Sequence, residues 1–462
     1  MEKDNYFKKN EKLLKKMIEK LKKIALENDL SNELKEKYIS KKLSYMMENL
    51  EAILKEEKGS GYNLKLRREQ KCYYPLHFDP YGNGCYHNCA YCFQKDIYIE
   101  RGNENGLNNY GRKNAQTVYS VKYLKNIFEE IENENNEEKQ LKLIDCNDSA
   151  KIIKEEPKYL ISQKLPLRIG GVTDPFQEIE KTRKSTCELL GVLNDYDYPA
   201  KIVTKSSLIA EDMYLDKLKE KRKNYYVQMT ITTLDEELAN CLEPGAPSPD
   251  ERLEALGKLN DKGITTAVRI SPLYPMKIYK NVNENLYEEV EKGKLKEILK
   301  EVFEMAMKNL ITEIKKRGTK IIIVDGLRAN FYDKDEDEYK GTVKFINDAL
   351  EEDEHNRFPK KFDIRDEMKK EGKDFYIKKE ELEEQYKKLR NLCNENDLNF
   401  IICHHNEEIE LDSLEDYICN REMDYGKKMY CGLKGKHKNF IKEKEVVSDF
   451  KNTFDSILND KG

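Results

Sequence analysis

The spacing of apolar residues predicts two helices in the first 58 residues. Apolar side chains recur every three or four positions, which is the period of one helix face. The two stripes are Leu13, Met17, Leu21 and Ile24, then Leu43, Met46, Met47, Leu50 and Leu54. Polar NDLSNE separates them, which favours two helices over one coiled coil, and Gly59-Ser60-Gly61 marks a break. We interpret residues 1–70 as an N-terminal helical segment that packs on the main domain.

From about residue 72 the pattern changes to short apolar segments that alternate with helical periods. Such alternation predicts parallel strands joined by right-handed crossovers. The predicted strands are Cys72–Phe78, Leu165–Ile169, Ala200–Val203, Tyr225–Thr232, Thr265–Ile270 and Lys320–Val324. The predicted helices include Ile179–Leu193, Leu215–Lys223, Asp250–Leu259 and Leu295–Lys316. An open or closed α/β barrel over residues 71–330 follows, with its chemistry at the carboxyl ends of the strands.

The end of the chain, residues 331–462, predicts an α/β extension. Residues 332–382 begin with the acidic run Asp333 to Glu338, which indicates a solvated insertion, and Asn399–Cys403 predicts a late strand. A tail with cysteines and histidines follows. Its gaps are long and irregular, so we predict ordinary thiols rather than a second cluster or a zinc site. The residues concerned are Cys393, Cys403, Cys419, Cys431, His404, His405 and His437.

Composition narrows the class of protein. The 462 residues exceed one ordinary domain, and 37% of them are charged. Lys and Arg (83) nearly balance Asp and Glu (88), so total charge makes no case for nucleic-acid binding. The N-terminus, MEKDNYFKKN, lacks the apolar segment of a secretory signal, and no membrane span is predicted. With 11 cysteines and no export signal, we expect a reducing cytoplasmic location, where thiols serve metals or chemistry.

Three of those cysteines lie within eight residues. Cys85, Cys89 and Cys92 occur in the run GCYHNCAYCF, and thiolate is the ligand that iron–sulfur clusters prefer. Three thiolates would hold three irons of a cubane and leave the fourth open to an incoming molecule; within the run, His87 alone could fill it. The alternative is a zinc-stabilised binding protein, with Cys72 as a fourth ligand. Three thiols in one loop fit that alternative less well, because zinc sites usually pair two short Cys-x-x-Cys knuckles.

The loop after the second predicted strand combines glycines with a capping signal. Gly170 and Gly171 allow a ligand to approach the backbone closely. Asp174 precedes a proline, and Gln177 stands where a capping-box partner would. The sequence therefore supports a helix cap and a ligand contact equally well for Asp174.

Polar residues also end the following strands. Lys205 stands at the tip of the third strand, where it would face the site or else begin a surface loop. Gln228 and Thr230 alternate on the fourth strand and so share one face, and Arg269 follows on the fifth. These side chains are candidates for a site at one end of the barrel.

These motifs resemble the radical S-adenosylmethionine (SAM) superfamily, in particular its spore photoproduct lyase-like branch. The likeness is carried by CxxxCxxC with Tyr91 before the last cysteine, and by IGGVTDPFQEIEKTR, IVTKS, TITTLDEELANCLEPGAPSPDERLEAL and AVRISPLYP. It spans about Tyr73 to Pro275 and implies a partial (β/α)6 TIM-type barrel, a 4Fe–4S cluster and SAM at the fourth iron. It also implies SAM cleavage to a 5′-deoxyadenosyl radical that abstracts hydrogen from an unidentified substrate. Nucleic acid, peptide and small molecule remain open as that substrate, and flavodoxin or ferredoxin would be the reductant.

Carried over residue by residue, the resemblance implies several contacts with SAM. Lys205 would hold the SAM carboxylate, and Thr230 stands where a hydroxyl contacts SAM. Thr173 stands where the lyase itself uses a serine. Gly170 and Gly171 match the first two residues of the Gly-Gly-Glu motif that many members have. Val172 replaces its glutamate, so the contacts of the SAM amino group differ here.

The chain also departs from spore photoproduct lyase at two positions. That lyase has a hydrogen-donating cysteine three residues before the aspartate of the second strand, and Gly171 stands there in this chain. Phe93 replaces the tyrosine that follows its last cluster cysteine. We therefore expect another substrate than the thymine dimer.

Overall fold

The protein is described by a computed structural model, which divides the chain into two units, Met1–Ser60 and Gly61–Gly462. All described residues belong to the second unit: 64–66, 76–136 without 103, 114 and 115, 158–279 without 159, 160, 163 and 165, 292–330, 341–351, and 363–403 without 372 and 373. The predicted N-terminal helices and Cys72 lie outside them. No helix among the described residues is long and apolar enough to span a membrane.

The fold is mixed α/β and is built on one large sheet. Its strands are β1 (Leu64–Leu66), β2 (Leu76–Phe78), β5 (Leu167–Ile169), β6 (Ala200–Thr204), β7 (Tyr225–Thr230), β8 (Thr265–Leu273), β9 (Ile321–Gly326) and β13 (Asn399–Ile402). The order is β1-β2-β5-β6-β7-β8-β9-β13. Strand β1 is antiparallel to β2, and the seven strands from β2 to β13 run parallel. Smaller sheets are formed by β3 (Tyr81–Gly82) with β4 (Thr117–Val118), and by β10 (Arg328–Asn330), β11 (Met368–Glu371) and β12 (Asp374–Ile377).

Helices follow the strands along the chain. They are α1 (Phe93–Glu100), α2 (Lys122–Asn136), α3 (Glu180–Arg183), α4 (Ser185–Asp195), α5 (Asp212–Glu220), α6 (Glu236–Leu242), α7 (Pro249–Asp261), α8 (Lys292–Lys316), α9 (Thr342–Glu351) and α10 (Lys379–Glu395). The partial α/β barrel expected from the sequence is confirmed, with all six predicted strands present. The late strand is also present as β13, which pairs in parallel with β9 and adds a seventh parallel strand.

Two local predictions about helices have different outcomes. Ser248-Pro249-Asp250-Glu251 predicts a helix start, and α7 begins there with a reciprocal capping box between Ser248 and Glu251. The single helix predicted over Ile179–Leu193 is instead two helices, α3 and α4. Lys184 between them is left-handed (φ 57°), and the Glu180 carboxylate accepts the amide protons of Thr186 and Cys187 at the start of α4. A buried side chain thus replaces the continuing helix hydrogen bonds.

The expectation of a solvated insertion over residues 332–382 is wrong for its described parts. Helix α9 buries Val343, Ile346 and Leu350, and β10, β12 and β11 form an antiparallel sheet. The reason is long-range burial: the Asp96 carboxylate in α1 accepts hydrogen bonds from the backbone and hydroxyl of Thr342 at 2.9 and 3.1 Å. The acidic run itself, residues 333–338, lies outside the described residues.

Candidate functional site

The cysteine loop directly follows β2, at the carboxyl end of the first parallel strand. Its turns need unusual backbone: Gly84 has φ 117°, and a Cβ there would lie 2.7 Å from the Asn109 side chain. The loop is tied to itself by the Cys92 amide, which donates to the Cys89 carbonyl at 3.2 Å. The Cys85 carbonyl accepts from Gly111 at 3.1 Å. Backbone hydrogen bonds within the protein therefore hold the conformation of this loop.

The thiols of this loop are close enough to influence one another electrostatically. Cys85 and Cys89 are buried, and Cys92 is partly buried. Burial raises the pKa of Cys85 well above its usual value, and the nearby charges of Asp174, Cys89 and Cys92 add to the rise. Burial likewise raises the pKa of Cys89 to about 11. Burial thus disfavours the thiolate form of Cys85 and Cys89 in the bare protein, and a metal that binds them must displace protons.

Zinc and an iron–sulfur cluster make different demands on the three thiols of this loop. Tetrahedral zinc holds all of its sulfur ligands on one ion at about 2.3 Å, whereas each cysteine of a cubane binds a different iron. Within the described part of the chain, no three His, Cys, Asp or Glu side chains form a group that could hold one metal ion. Cys72, the fourth ligand in the zinc alternative, lies outside the described residues, so the choice of a cluster over zinc stays a prediction.

A second loop, residues 243–247, and the end of the helix before it form hydrogen bonds with the cysteine loop. The Gly245 amide donates to the His87 carbonyl at 3.1 Å, and the Ala90 amide donates to the Leu242 carbonyl at 2.8 Å. A Cβ on Gly245 would lie 2.1 Å from the Tyr86 carbonyl oxygen, so only glycine allows this approach. One role of residues 243–247 is therefore to hold the cysteine loop in place.

A buried ion pair lies beneath Tyr91. Glu243 and Arg252 are each 1% exposed, and the Arg252 Nη1 lies 2.5 Å from the Glu243 Oε2. The Tyr91 hydroxyl donates to the Glu243 Oε1. Burial by itself would raise the pKa of Glu243, but Arg252, Lys205 and the Tyr91 hydrogen bond hold it below the usual value. Tyr91 is thereby fixed within the CxxxCxxC motif by a charged carboxylate that the sequence analysis did not single out.

Lys205 joins the same cluster from the carboxyl end of β6. Its Nζ lies 5.4 Å from the centre of the Tyr91 ring, a cation–π distance. Burial lowers the pKa of Lys205, but the charges of Cys89 and Glu243 raise it more, so its pKa stands above that of an ordinary lysine. Lys205 is therefore a partly buried cation directed at the cysteine loop rather than a surface lysine.

Asp174 connects three segments of the site. Its Oδ1 accepts from the Thr204 hydroxyl at 2.7 Å, and its Oδ2 accepts from the Lys205 amide at 2.7 Å. His87, the other residue of the cysteine run able to bind iron, has its Nδ1 3.5 Å from the same Oδ2. The predicted helix cap at Asp174 is wrong, because the next helix begins only at Glu180. Gln177 is not a capping partner either, since its Oε1 accepts the Tyr86 amide proton at 2.8 Å.

The other positions predicted to contact SAM have protein partners in the described structure. A Cβ on Gly170 would lie 2.1 Å from the Val203 carbonyl oxygen, and one on Gly171 would lie 2.5 Å from the His77 Nδ1. The Thr173 hydroxyl donates to the Tyr81 carbonyl at 2.6 Å. Thr230 is buried, and its carbonyl accepts from Arg252 at 3.2 Å. Their contacts with SAM stay predictions.

Asp79 was missed by the sequence analysis. It is 2% exposed, and its Oδ1 accepts from the Gly171 amide at 2.6 Å and from the Val172 amide at 3.2 Å. Its Oδ2 has no hydrogen-bond partner among the described residues. A carboxylate from β2 thus lies at the loop where the expected Gly-Gly-Glu glutamate is lacking. An aspartate just beyond the first predicted strand was the available signal.

The interior of the sheet carries a further polar group. Arg269 donates to the Gln228 Oε1 at 3.0 Å and to the Cys403 Sγ at 3.4 Å, so the late strand reaches the same interior. Cys393 lies in the core on α10, where burial raises its pKa to about 12. Cys419, Cys431 and the tail histidines lie outside the described residues, and the absence of a second cluster stays a prediction.

The fold and the cysteine loop bring three free thiols to the carboxyl edge of a parallel sheet. Residues 80–277 match the family model of the Radical SAM superfamily. This match covers less than half of the chain, so residues 80–277 are similar to a radical SAM domain, in agreement with the motifs of the sequence. The cofactors of this superfamily are a 4Fe–4S cluster and SAM, in agreement with the cofactors expected from the sequence.

Curated relatives match only part of the chain. An uncharacterized protein, ORF301, of Acidianus two-tailed virus is 32% identical over 127 residues, which are 27% of this chain and 39% of the relative. An uncharacterized protein, MJ0683, of Methanocaldococcus jannaschii is 33% identical over 127 residues, 27% of this chain and 48% of the relative. The matched part thus covers less than half of either relative.

Solved structures include spore photoproduct lyase complexed with dinucleoside spore photoproduct, at TM-score 0.44 and 15% identity, covering 72% of this chain and 77% of that chain. A variant of that lyase, with bound AdoMet and dinucleoside spore photoproduct, has the same TM-score, identity and coverage. SuiB of Streptococcus suis bound to S-adenosylmethionine has TM-score 0.32 and 14% identity, covering 68% of this chain and 51% of that chain. Spore photoproduct lyase is thus among the structures that the chain resembles, but at these values the likeness assigns neither reaction nor substrate.

Proposed function

We propose that Cys85, Cys89 and Cys92 hold a 4Fe–4S cluster and that the enzyme abstracts hydrogen from a substrate still to be identified. The observation that carries the proposal is the cysteine loop itself. Two of its three thiols are buried, the loop follows the first parallel strand, and its own Tyr91 is held by a hydrogen bond to Glu243. When bound, the cluster supplies an electron for the reductive cleavage of SAM to a 5′-deoxyadenosyl radical.

The residues around the loop have separable roles in this proposal. Lys205 binds the SAM carboxylate, because its ammonium group is directed at the cysteine loop. The Tyr91 ring near this ammonium accepts no proton from it, so its N–H groups can make a charge-assisted hydrogen bond with the carboxylate. Glu243 and Arg252 position Tyr91 and the base of the cysteine loop. Thr173, Thr230, Gly170 and Gly171 complete the SAM site through their backbone or hydroxyl groups.

A low-potential protein such as flavodoxin or ferredoxin would deliver the electron. Nucleic acid is one substrate class, supported by the likeness of the motifs to the lyase branch, and a peptide or small molecule is the other. The function is tested by incubating reconstituted protein with SAM, dithionite and fractionated cell extract. Formation of 5′-deoxyadenosine that rises with one fraction supports hydrogen abstraction, and its absence with and without extract contradicts it.

Lys205→Ala is expected to weaken SAM binding by about 10- to 150-fold and to leave the cluster intact. A charge-assisted contact contributes about 1.5–3 kcal/mol, which corresponds to that range. Equilibrium binding of SAM to the two proteins, measured by calorimetry at equal iron content, checks this. Lys113→Ala is a matched control, since Lys113 also lies over a loop tyrosine, Tyr86, but is exposed. If Lys205→Ala and wild type bound SAM with equal affinity, Lys205 would be an ordinary loop lysine with no role in SAM binding.

Catalytic repair of the spore photoproduct is not expected. Gly171 stands where that lyase has its hydrogen-donating cysteine, and even a Cβ there would collide with His77. Cys187 lies on α4 and is not expected to replace that cysteine. Phe93, which is 49% exposed, has no hydroxyl to replace the tyrosine of the lyase. Spore-photoproduct DNA incubated with SAM, dithionite and the enzyme should give no multiple-turnover recovery of thymine, as measured by chromatography. Repeated turnover would contradict this and would identify DNA as the substrate.

A further inference from the structure

Lys95 is a buried cation in the first turn of α1, three residues after Cys92. Its side chain is 6% exposed, and its Nζ donates to the Asn88 carbonyl, inside the cysteine loop, at 3.2 Å. An ammonium group taken out of water carries a large desolvation cost unless another charge compensates it. The surroundings of Lys95 therefore have to contain a negative group, or receive one.

The described residues offer Lys95 no carboxylate at ion-pair distance. Its Nζ lies over two aromatic faces, at 4.8 Å from the centre of the Phe345 ring and 5.4 Å from that of Tyr110. The neighbouring carboxylate, Asp96, accepts hydrogen bonds from the amide and the hydroxyl of Thr342. The ring faces stabilise the cation only partly, because a ring quadrupole is weaker than a full charge.

The cysteine loop also contacts Lys95 directly. The Lys95 amide donates to the Cys92 carbonyl at 3.0 Å, and the Lys95 Nζ donates to the carbonyl of Asn88, which lies between Cys85 and Cys89 in the loop. The ring of Tyr110 lies under the ammonium, and the next residue, Gly111, donates its amide proton to the Cys85 carbonyl at 3.1 Å. Lys95 thus lies against the cysteine loop from the α1 side.

We propose that Lys95 is the counter-charge of the iron–sulfur cluster and raises its reduction potential. The proposal rests on the proposed function, because it takes Cys85, Cys89 and Cys92 as the cluster ligands. Net charge and hydrogen bonds near a cluster set its potential. One electron from a low-potential donor makes the cluster site more negative, so a fixed buried cation stabilises the reduced form more than the oxidised form.

The test is an EPR-monitored redox titration of reconstituted protein without SAM. In Lys95→Met, which keeps the length of the side chain and removes its charge, we expect a more negative midpoint potential. At a fixed potential the ratio of reduced to oxidised cluster should fall by about fivefold or more. Lys95→Arg keeps the charge and should stay near the wild-type ratio. Lys113→Met is the matched control, because Lys113 lies over Tyr86 of the loop but is solvent-exposed and paired with Glu178; it should leave the ratio unchanged.

The outcomes separate this inference from the proposed function. If wild-type protein holds no iron–sulfur cluster, the proposed function fails. If wild type and Lys95→Met hold equal iron and share one midpoint potential, the role of Lys95 is overturned while the proposed function stands. A shift in Lys95→Arg as large as in Lys95→Met would show a packing effect and would also overturn it. If Lys95→Met holds less iron, Lys95→Gln replaces it; loss of the cluster in both would assign Lys95 to assembly and contradict the tuning role.

Discussion

Replacing Cys85, Cys89 or Cys92 by alanine is expected to abolish iron–sulfur absorbance and SAM cleavage together. Each thiolate holds a different iron, so the loss of one opens the cube to solvent and to further loss of iron. Changes in residues that merely orient metal ligands cost about 10- to 100-fold, and loss of a ligand should exceed that. The measurements are iron content, visible absorbance of the cluster, and the amount of 5′-deoxyadenosine formed with dithionite.

Cys187→Ala is the matched control for these three variants. Cys187 is a partly buried thiol on α4, away from the cysteine loop. Its variant should keep the wild-type iron content and rate of SAM cleavage. Full activity in any of the three loop variants, or loss of iron in Cys187→Ala to the same degree, would contradict the assignment of the ligands.

Breaking the buried ion pair is expected to have the second large effect. Glu243→Gln leaves the Arg252 guanidinium, which is 1% exposed, without a compensating charge. Removing one partner of a buried pair typically costs about 3–5 kcal/mol. The Tyr91 hydroxyl also loses its carboxylate acceptor, so the base of the cysteine loop loosens. Urea denaturation should show a lower free energy of unfolding by this amount.

Glu384→Gln serves as the control for that experiment. Glu384 pairs with Lys300 at 2.6 Å, but both side chains are about 30% exposed (28% and 29%). Exposed pairs contribute about 1 kcal/mol or less, so this variant should stay close to wild type. If the two substitutions lowered the free energy of unfolding equally, the buried pair of Glu243 and Arg252 would contribute no more to stability than an exposed pair.

The sequence predicted the parallel strands well because they are buried on both faces. All six residues of β7 are buried, and apart from Gln228 and Thr230 they form a largely apolar run. The cysteine loop was predictable for a different reason: the ligand spacing lies within eight consecutive residues. Lys205 was predictable from its place at the end of a strand, where the barrel brings side chains together.

Contacts between segments that are far apart in the sequence could not be predicted from the local pattern of residues. Glu243 meets Tyr91 across 152 positions, and Asp96 meets Thr342 across 246. The contact between Asp96 and Thr342 lies at the start of α9, a helix with a buried face. The acidic composition near residue 335 gave no sign of this burial. The break at Lys184 was missed similarly, because the Glu180 carboxylate and not a proline or glycine ends the helix. Side-chain hydrogen bonds of this kind leave no periodic signal in the sequence.

Metal analysis of the full chain tests the central claim most directly. Protein prepared and reconstituted without oxygen should contain close to four irons and four sulfides per chain. Its reduced EPR spectrum should change when SAM is added, because SAM would occupy the iron that Cys85, Cys89 and Cys92 leave open. One zinc per chain, no sulfide and no spectral response to SAM would contradict the account.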